Sequence, residues 1–270
     1  MPRPHRRLAH DLPRMLGASL ERRRLLQLLA GAVAVPLVGC GDAPGTDPDA
    51  GVTFDAPPSA CPTIPRETAG PFPGDGTNGP NVLVAAGVVR SDIRTSFAGR
   101  SGTADGVPLT VTLTLVDSGG GCAPLSGYAV YLWHPDRAGD YSIYAPALVD
   151  QNYLRGVQVT DAAGHVTFTT IFPGCYPGRW PHAHLEIYRS LAAATTGGNA
   201  VVTSQLALPR AASEAAYAAA GYATSATNLT PLSLATDGSF RDDLAVKQLA
   251  AVTGSVAAGF AGTLTIGVPG

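Results

Sequence analysis

His182 and His184 are two of only six histidines in 270 residues, and a single residue separates them. Side chains alternate along a β-strand, so His182, His184 and Glu186 share one face while Ala183, Leu185 and Ile187 share the other. Pro181 suits the first position of such a strand, because it has no N–H to give a ladder. Two imidazoles on one strand face reach a common metal ion. An isolated His-x-His pair is usually nothing more than two surface or core histidines. This pair closes the run Gly174-Cys175-Tyr176-Pro177-Gly178-Arg179-Trp180-Pro181, which sets a tyrosine in Pro-Gly punctuation and an arginine three residues before the first histidine.

The rest of the chain must position that run. Charged residues make up only 14% and the formal net charge is -2, with no basic stripe interleaved with aromatics, which argues against a nucleic-acid partner. Gly 32 and Pro 23 mark a turn-rich chain, and no apolar run is long enough for a permanent membrane span. Residues 1–40 read as a targeting segment rather than fold. Arg22-Arg23-Arg24-Leu25-Leu26 resembles a twin-arginine export signal, and Leu37-Val38-Gly39-Cys40 looks like a lipobox with Cys40 as the lipidated residue. Residues 41–60, rich in Asp, Pro, Ala and Gly, read as a flexible tether. The expected location is therefore periplasmic or cell-surface, with a lipid anchor as the membrane contact. In an oxidising compartment two of Cys61, Cys122 and Cys175 are expected to pair. Cys61 and Cys122 both lie in loop-like sequence, which favours their pairing and leaves Cys175 free, although spacing alone leaves all three pairings open.

The catalytic domain is expected over residues 61–270. Residues 61–80 carry turn signals, with Glu67 read as a loop or capping residue. Val82–Val89 is apolar and β-branched and reads as a strand. Val107, Leu109, Val111, Leu113 and Leu115 fall on one face, the period of a half-buried strand. In Gly127–Trp133, Tyr128, Val130 and Leu132 oppose Ala129, Tyr131 and Trp133. Arg155–Thr160 and His165–Ile171 flank Asp161-Ala162-Ala163-Gly164, a hairpin signal. Val201–Leu208 and Gly262–Val268 complete the strands. Glu214–Tyr222 reads as a short helix and Arg241–Val252 as helical or irregular. His134 and His165 read as loop histidines. Many short strands between Gly/Pro turns give an all-β fold, an antiparallel β-sandwich with long wrapping loops and one or two short helices.

Tyr141, Tyr176, His182 and His184 stand in the order and context of the intradiol ring-cleavage dioxygenases, the catechol and protocatechuate dioxygenase family, in its exported bacterial form. The stretches that carry the resemblance are Val130-Tyr131-Leu132-Trp133-His134, Gly139-Asp140-Tyr141-Ser142, Leu154-Arg155-Gly156, Thr160-Asp161-Ala162-Ala163-Gly164, Thr170-Ile171-Phe172-Pro173-Gly174-Cys175-Tyr176 and Arg179-Trp180-Pro181-His182-Ala183-His184. The clear match covers about residues 105–210. The resemblance implies Fe(III) held by Tyr141, Tyr176, His182 and His184, with Tyr176 and His184 axial. It implies that a catechol binds as a dianion in place of Tyr176 and a hydroxide. It further implies that O2 cleaves the ring between the two oxygens to a cis,cis-muconate, with Arg179 and Gln205 lining the pocket. One departure is visible. Pro135 stands where exported relatives often carry a cysteine, so a disulfide from that point to Cys175 cannot form.

The donor types make the same chemical sense on their own terms. A free phenol ionises near pH 10, so only a strong Lewis acid holds it as phenolate at neutral pH. Zinc sites seldom use tyrosine and calcium wants carboxylates. Two alternatives stay open at this point. Glu186 is the acid a ferrous 2-His-1-carboxylate site would need, and Tyr144 competes with Tyr141 as a donor. Two other functional classes also stand: a non-catalytic lipoprotein β-sandwich that binds a ligand or partner, and zinc or copper hydrolase chemistry, which lacks a general base beside the histidines.

Overall fold

A computed structural model describes residues 61–270; the expected leader, the Cys40 anchor and the tether lie outside the described residues. Eight strands form two four-stranded sheets. In chain order they are β1 (Pro108–Asp117), β2 (Ala129–Trp133), β3 (Arg155–Val159), β4 (His165–Ile171), β5 (His182–Tyr188), β6 (Val202–Ala207), β7 (Ala251–Ser255) and β8 (Gly259–Val268). The sheets run β4-β1-β8-β7 and β3-β2-β5-β6. Two short helices, α1 (Arg210–Tyr217) and α2 (Ala223–Leu229), lie between β6 and β7. Among the described residues no helix is long and apolar enough to cross a membrane.

The alternation in β1 does what its period requires: Leu109, Val111, Leu113 and Leu115 are all buried. They pack between the sheets with Val130 and Leu132 of β2 and with Leu185 and Ile187 of β5. The opposite face of the second sheet is also closed. Ala129, Tyr131 and Trp133 form a second core with Val82, Leu83, Val88 and Phe97 from the segment before β1, and with Tyr141. That covering explains why every residue of β2 and β5 is buried, a pattern a one-sided strand would not give.

Four expectations are corrected. Val82–Val89 is not a regular strand; it runs through turns, with only an isolated bridge from Val89 to Val157. Its apolar side chains serve as a cover for the outer sheet face. Residues 161–164 do not join a hairpin: β3 pairs with β2 and β4 with β1, so this turn is an arch between the sheets. Asp161 forms it by accepting from the Ala163 and His165 amides, and such a turn looks the same in sequence whichever way the strands then part. Residues 251–252 open strand β7 rather than ending a helical segment. The sandwich is not wholly antiparallel, because β1 and β8 pair in parallel.

Candidate active site

β5 is central in its sheet. Directly opposite residues share a face, and His184 stands opposite Trp133 of β2 and Gln205 of β6. The His184 ring stacks on Trp133 with centroids 4.9 Å apart and planes 8° from parallel. Tyr131 stacks behind Trp133 at 4.8 Å. This column fixes the imidazole plane. Gly70 closes over the ring from the other side: a Cβ there would sit 3.2 Å from His184 Cε1, and its φ of +70° is one that glycine adopts freely. His182 Nδ1 donates to the Trp180 carbonyl, so its Nε2 presents a lone pair.

The sequence candidates meet at one point. His182 Nε2 lies 3.1 Å from His184 Nε2 and 3.1 Å from the Tyr176 hydroxyl. The Tyr141 ring lies 5.8 Å from that of Tyr176 and 6.1 Å from that of His184, edge-on to both. The Tyr141 hydroxyl is buried and has no hydrogen-bond partner. Burial lowers both imidazoles well below their usual range, aided by Arg179, so both are neutral. Burial raises Tyr141 well above the usual phenol range, and the neighbouring Tyr176 adds to the rise. Tyr176 is raised by the same burial, against the lowering pull of Arg179.

These donors fit a metal ion. Donors about 2.1 Å from one ion and at right angles lie about 3 Å apart, the separation found here. A buried phenol with no partner costs about 1–3 kcal/mol, a cost that coordination would remove. Both open alternatives already have a hydrogen-bond partner. The Tyr144 hydroxyl accepts from the Gly74 amide at 2.9 Å. Glu186 accepts from the Tyr188 hydroxyl at 2.6 Å. Among the described residues no three His, Cys, Asp or Glu side chains gather as a metal-binding group.

Arg179 and Gln205 also join the site. The Arg179 guanidinium donates to Gln205 Oε1, to Ser239 Oγ at 3.1 Å and, through Nε, to Asp237 Oδ2 at 3.0 Å. Gln205 Nε2 donates in turn to the Thr68 carbonyl. Glu67 accepts from Gln248 Nε2 at 3.5 Å and lies beside Ser239 and Arg179. His134 is not a loop histidine: it is buried, bridges the Pro135 carbonyl and Thr170, and burial lowers its pKa to about 4. Cys61 and Cys122 form a disulfide, and Cys175 is a buried free thiol. The turn beside Cys175 is held without a second bridge, by Ser225 and Asn228 of α2. Gly139 packs the Tyr141 loop against this turn; its Cβ would lie 3.2 Å from the Cys175 carbonyl oxygen.

Sequence reasoning missed Asp237 and Ser239. It saw Arg155 only as part of a matching stretch. Arg155 is fully buried and spans Pro73, Phe72, Tyr131 and both the hydroxyl and carbonyl of Ser142, tying the loop over His184 to the loop that carries Tyr141.

A family model described as Dioxygenase matches residues 78–195. The intradiol ring-cleavage dioxygenase from Tetranychus urticae superposes with a TM-score of 0.59 at 28% identity, over 77% of this chain and 95% of that one. The chain has the fold of the intradiol ring-cleavage dioxygenases and matches the dioxygenase family model over residues 78–195. A further dioxygenase structure matches with a TM-score of 0.60, again at 28% identity and with the same coverage of both chains. Chlorocatechol 1,2-dioxygenase from Rhodococcus opacus is 40% identical over 53 residues, which are 20% of this chain and 21% of that protein. The chain thus matches about a fifth of the length of this curated relative. The shared fold accounts for the all-β sandwich.

Proposed function

We propose that this chain is a non-haem Fe(III) intradiol dioxygenase that cleaves a catechol-type ring with O2 to a cis,cis-muconate. One observation carries the reading: a buried phenol without a partner, Tyr141, beside a cluster in which Tyr176, His182 and His184 already sit at metal-sharing distances. Tyr141, Tyr176, His182 and His184 are the residues that would hold the ion. When bound, ferric iron supplies the Lewis acidity that keeps both phenols ionised and withdraws electron density from a catecholate.

The protein's own groups do the rest. His182 and His184 are neutral through burial and offer lone pairs without first losing a proton. Tyr176 is the more exposed of the two phenols, so its hydroxyl oxygen is the one placed to take a substrate proton. Arg179 brings a fixed positive charge to the side of Tyr176 and stabilises negative charge that builds on the ring oxygens. Gln205 keeps the guanidinium turned inward and fastens the Thr68 segment over the site. Phe72, against Tyr141 and Tyr144 at 5.2 Å each, gives an apolar wall for an aromatic ring. A non-catalytic binding module would leave the Tyr141 hydroxyl desolvated with no return. We further propose, from residues 1–40, that the enzyme acts outside the cytoplasm on a lipid anchor.

The test is spectroscopic and chemical. Protein loaded with ferric iron should show a visible phenolate-to-iron charge-transfer band and consume one O2 per catechol. A colourless protein that stays inert with catechols after ferric loading refutes the proposal.

A further inference from the structure

The Arg179 charge is useful only if it is aimed, and its aim comes from outside the matched family segment. Asp237 is completely buried and follows a single 3-10 turn at Leu234–Thr236. Its Oδ2 accepts from Arg179 Nε at 3.0 Å and from the Trp180 amide at 2.7 Å. Its Oδ1 accepts from the Ser239 amide at 2.8 Å and the Phe240 amide at 3.1 Å. The three amide bonds immobilise the carboxylate, so the guanidinium meets a fixed anchor. Ser239, carried by the same turn, takes a second guanidinium nitrogen. Gln205 takes that nitrogen from the sheet side. Arg179 is thus gripped from two directions, with Tyr176 on the same turn.

We infer that Asp237 is a positioning residue that orients Arg179 toward the Tyr176–His182–His184 cluster and so sets the charge that the bound catecholate meets. The inference rests on the dioxygenase reading given above. Asp237 touches neither a ligand side chain nor the place of the substrate; it acts through Arg179. Asn at this position keeps one oxygen for the Ser239 and Phe240 amides and turns a neutral NH2 toward Arg179 and the Trp180 amide, so the anion is lost. The guanidinium then has only neutral acceptors and swings between them.

The test is a double-mutant cycle of Asp237→Asn and Arg179→Gln, read by catechol turnover and by the affinity for 4-nitrocatechol. Asp237→Asn should lower kcat/KM about tenfold or more while iron content and the charge-transfer band stay as in the wild type. In the Arg179→Gln background the same change should cost less than about twofold, because the group it aims is gone. The metal-free protein gives an independent readout: the Arg179 Nε–H nitrogen resonance, protected by its carboxylate partner, should be lost in Asp237→Asn. Equal losses in both backgrounds overturn the inference, since Asp237 would then act through the backbone alone. Asp237→Glu, which restores the charge on a longer arm, should recover part of the activity. If neither variant folds, Asp237 is a folding residue and the inference is wrong. A wild-type protein that neither binds 4-nitrocatechol nor cleaves catechol overturns the dioxygenase reading itself, and the inference with it.

Discussion

Tyr141→Phe should change sign with the metal. In the metal-free protein the Tyr141 hydroxyl is desolvated and unpartnered. Removing it relieves about 1–3 kcal/mol of that cost. A domain of this size gains about 2–4 °C in Tm for each kcal/mol, so metal-free Tyr141→Phe should melt several degrees above the metal-free wild type. With iron the order reverses. An ion present at about 100 times its Kd adds about 2.7 kcal/mol to the wild type, and a site with three donors in place of four holds it less tightly. The assay is thermal unfolding of each protein after chelation and after ferric loading, with the visible band followed alongside. Tyr144→Phe is the control. Its hydroxyl accepts the Gly74 amide, so its loss should cost about 1 kcal/mol in both states and leave the band unmoved. A metal-free Tyr141→Phe that is less stable than the wild type, or an iron-loaded one with an unchanged band, would show that Tyr141 is packing and not a ligand.

Glu67 gives a pH prediction. Burial raises its carboxyl to about 7, above its unfolded value, so the folded state binds the extra proton between about pH 4.5 and 7. Stability from this group is present at the acid end and is lost as pH rises through that window. The carboxyl is half-buried, and after allowance for screening the loss is about 1 kcal/mol. Glu67→Gln should therefore stabilise the protein at pH 8 and not at pH 5 in urea unfolding; the opposite order would refute the assignment. Reduction of Cys61–Cys122, which closes a loop of 61 residues, should cost about 2–4 kcal/mol by guanidinium unfolding. Arg155→Gln removes a buried cation that bridges two loops, and should cost about 3 kcal/mol while lowering activity with the iron ligands intact. Full activity in that variant would show that the clamp does not shape the site.

Strands in both sheets were legible because their patterns are local. The period of Val107–Leu115 marked the inner face of β1, and Pro181-His182-Ala183-His184 marked the entry and sidedness of β5. The meeting of Cys61 with Cys122 followed from their loop setting. What stayed hidden depends on the other partner in each contact. The turn at 161–164 reads as a hairpin because its own hydrogen bonds are the same in an arch. Val82–Val89 looks like a strand because residues that cover a sheet must be as apolar as those within one. His134 looks like a loop residue until Thr170 is brought to it. Asp237 reads as an ordinary Asp-Gly turn; nothing nearby in sequence announces that Arg179, 58 positions earlier, is its partner. Arg155, with no acid on any of its bonds, offers no charge pattern to find.

The parallel pairing of β1 with β8 sets residues 109–117 against 260–268. One edge of β1 therefore stays open until β8 has been made. The groups that orient Arg179 come equally late, since Gln205, Asp237 and Ser239 all follow the last histidine. A nascent chain halted after β5 would own all four proposed donors but lack the groups that orient Arg179. A fully oriented Arg179 is thus a property of the finished molecule, and a shortened version ending at β5 would leave the β1 and β5 edges unpaired and open to aggregation.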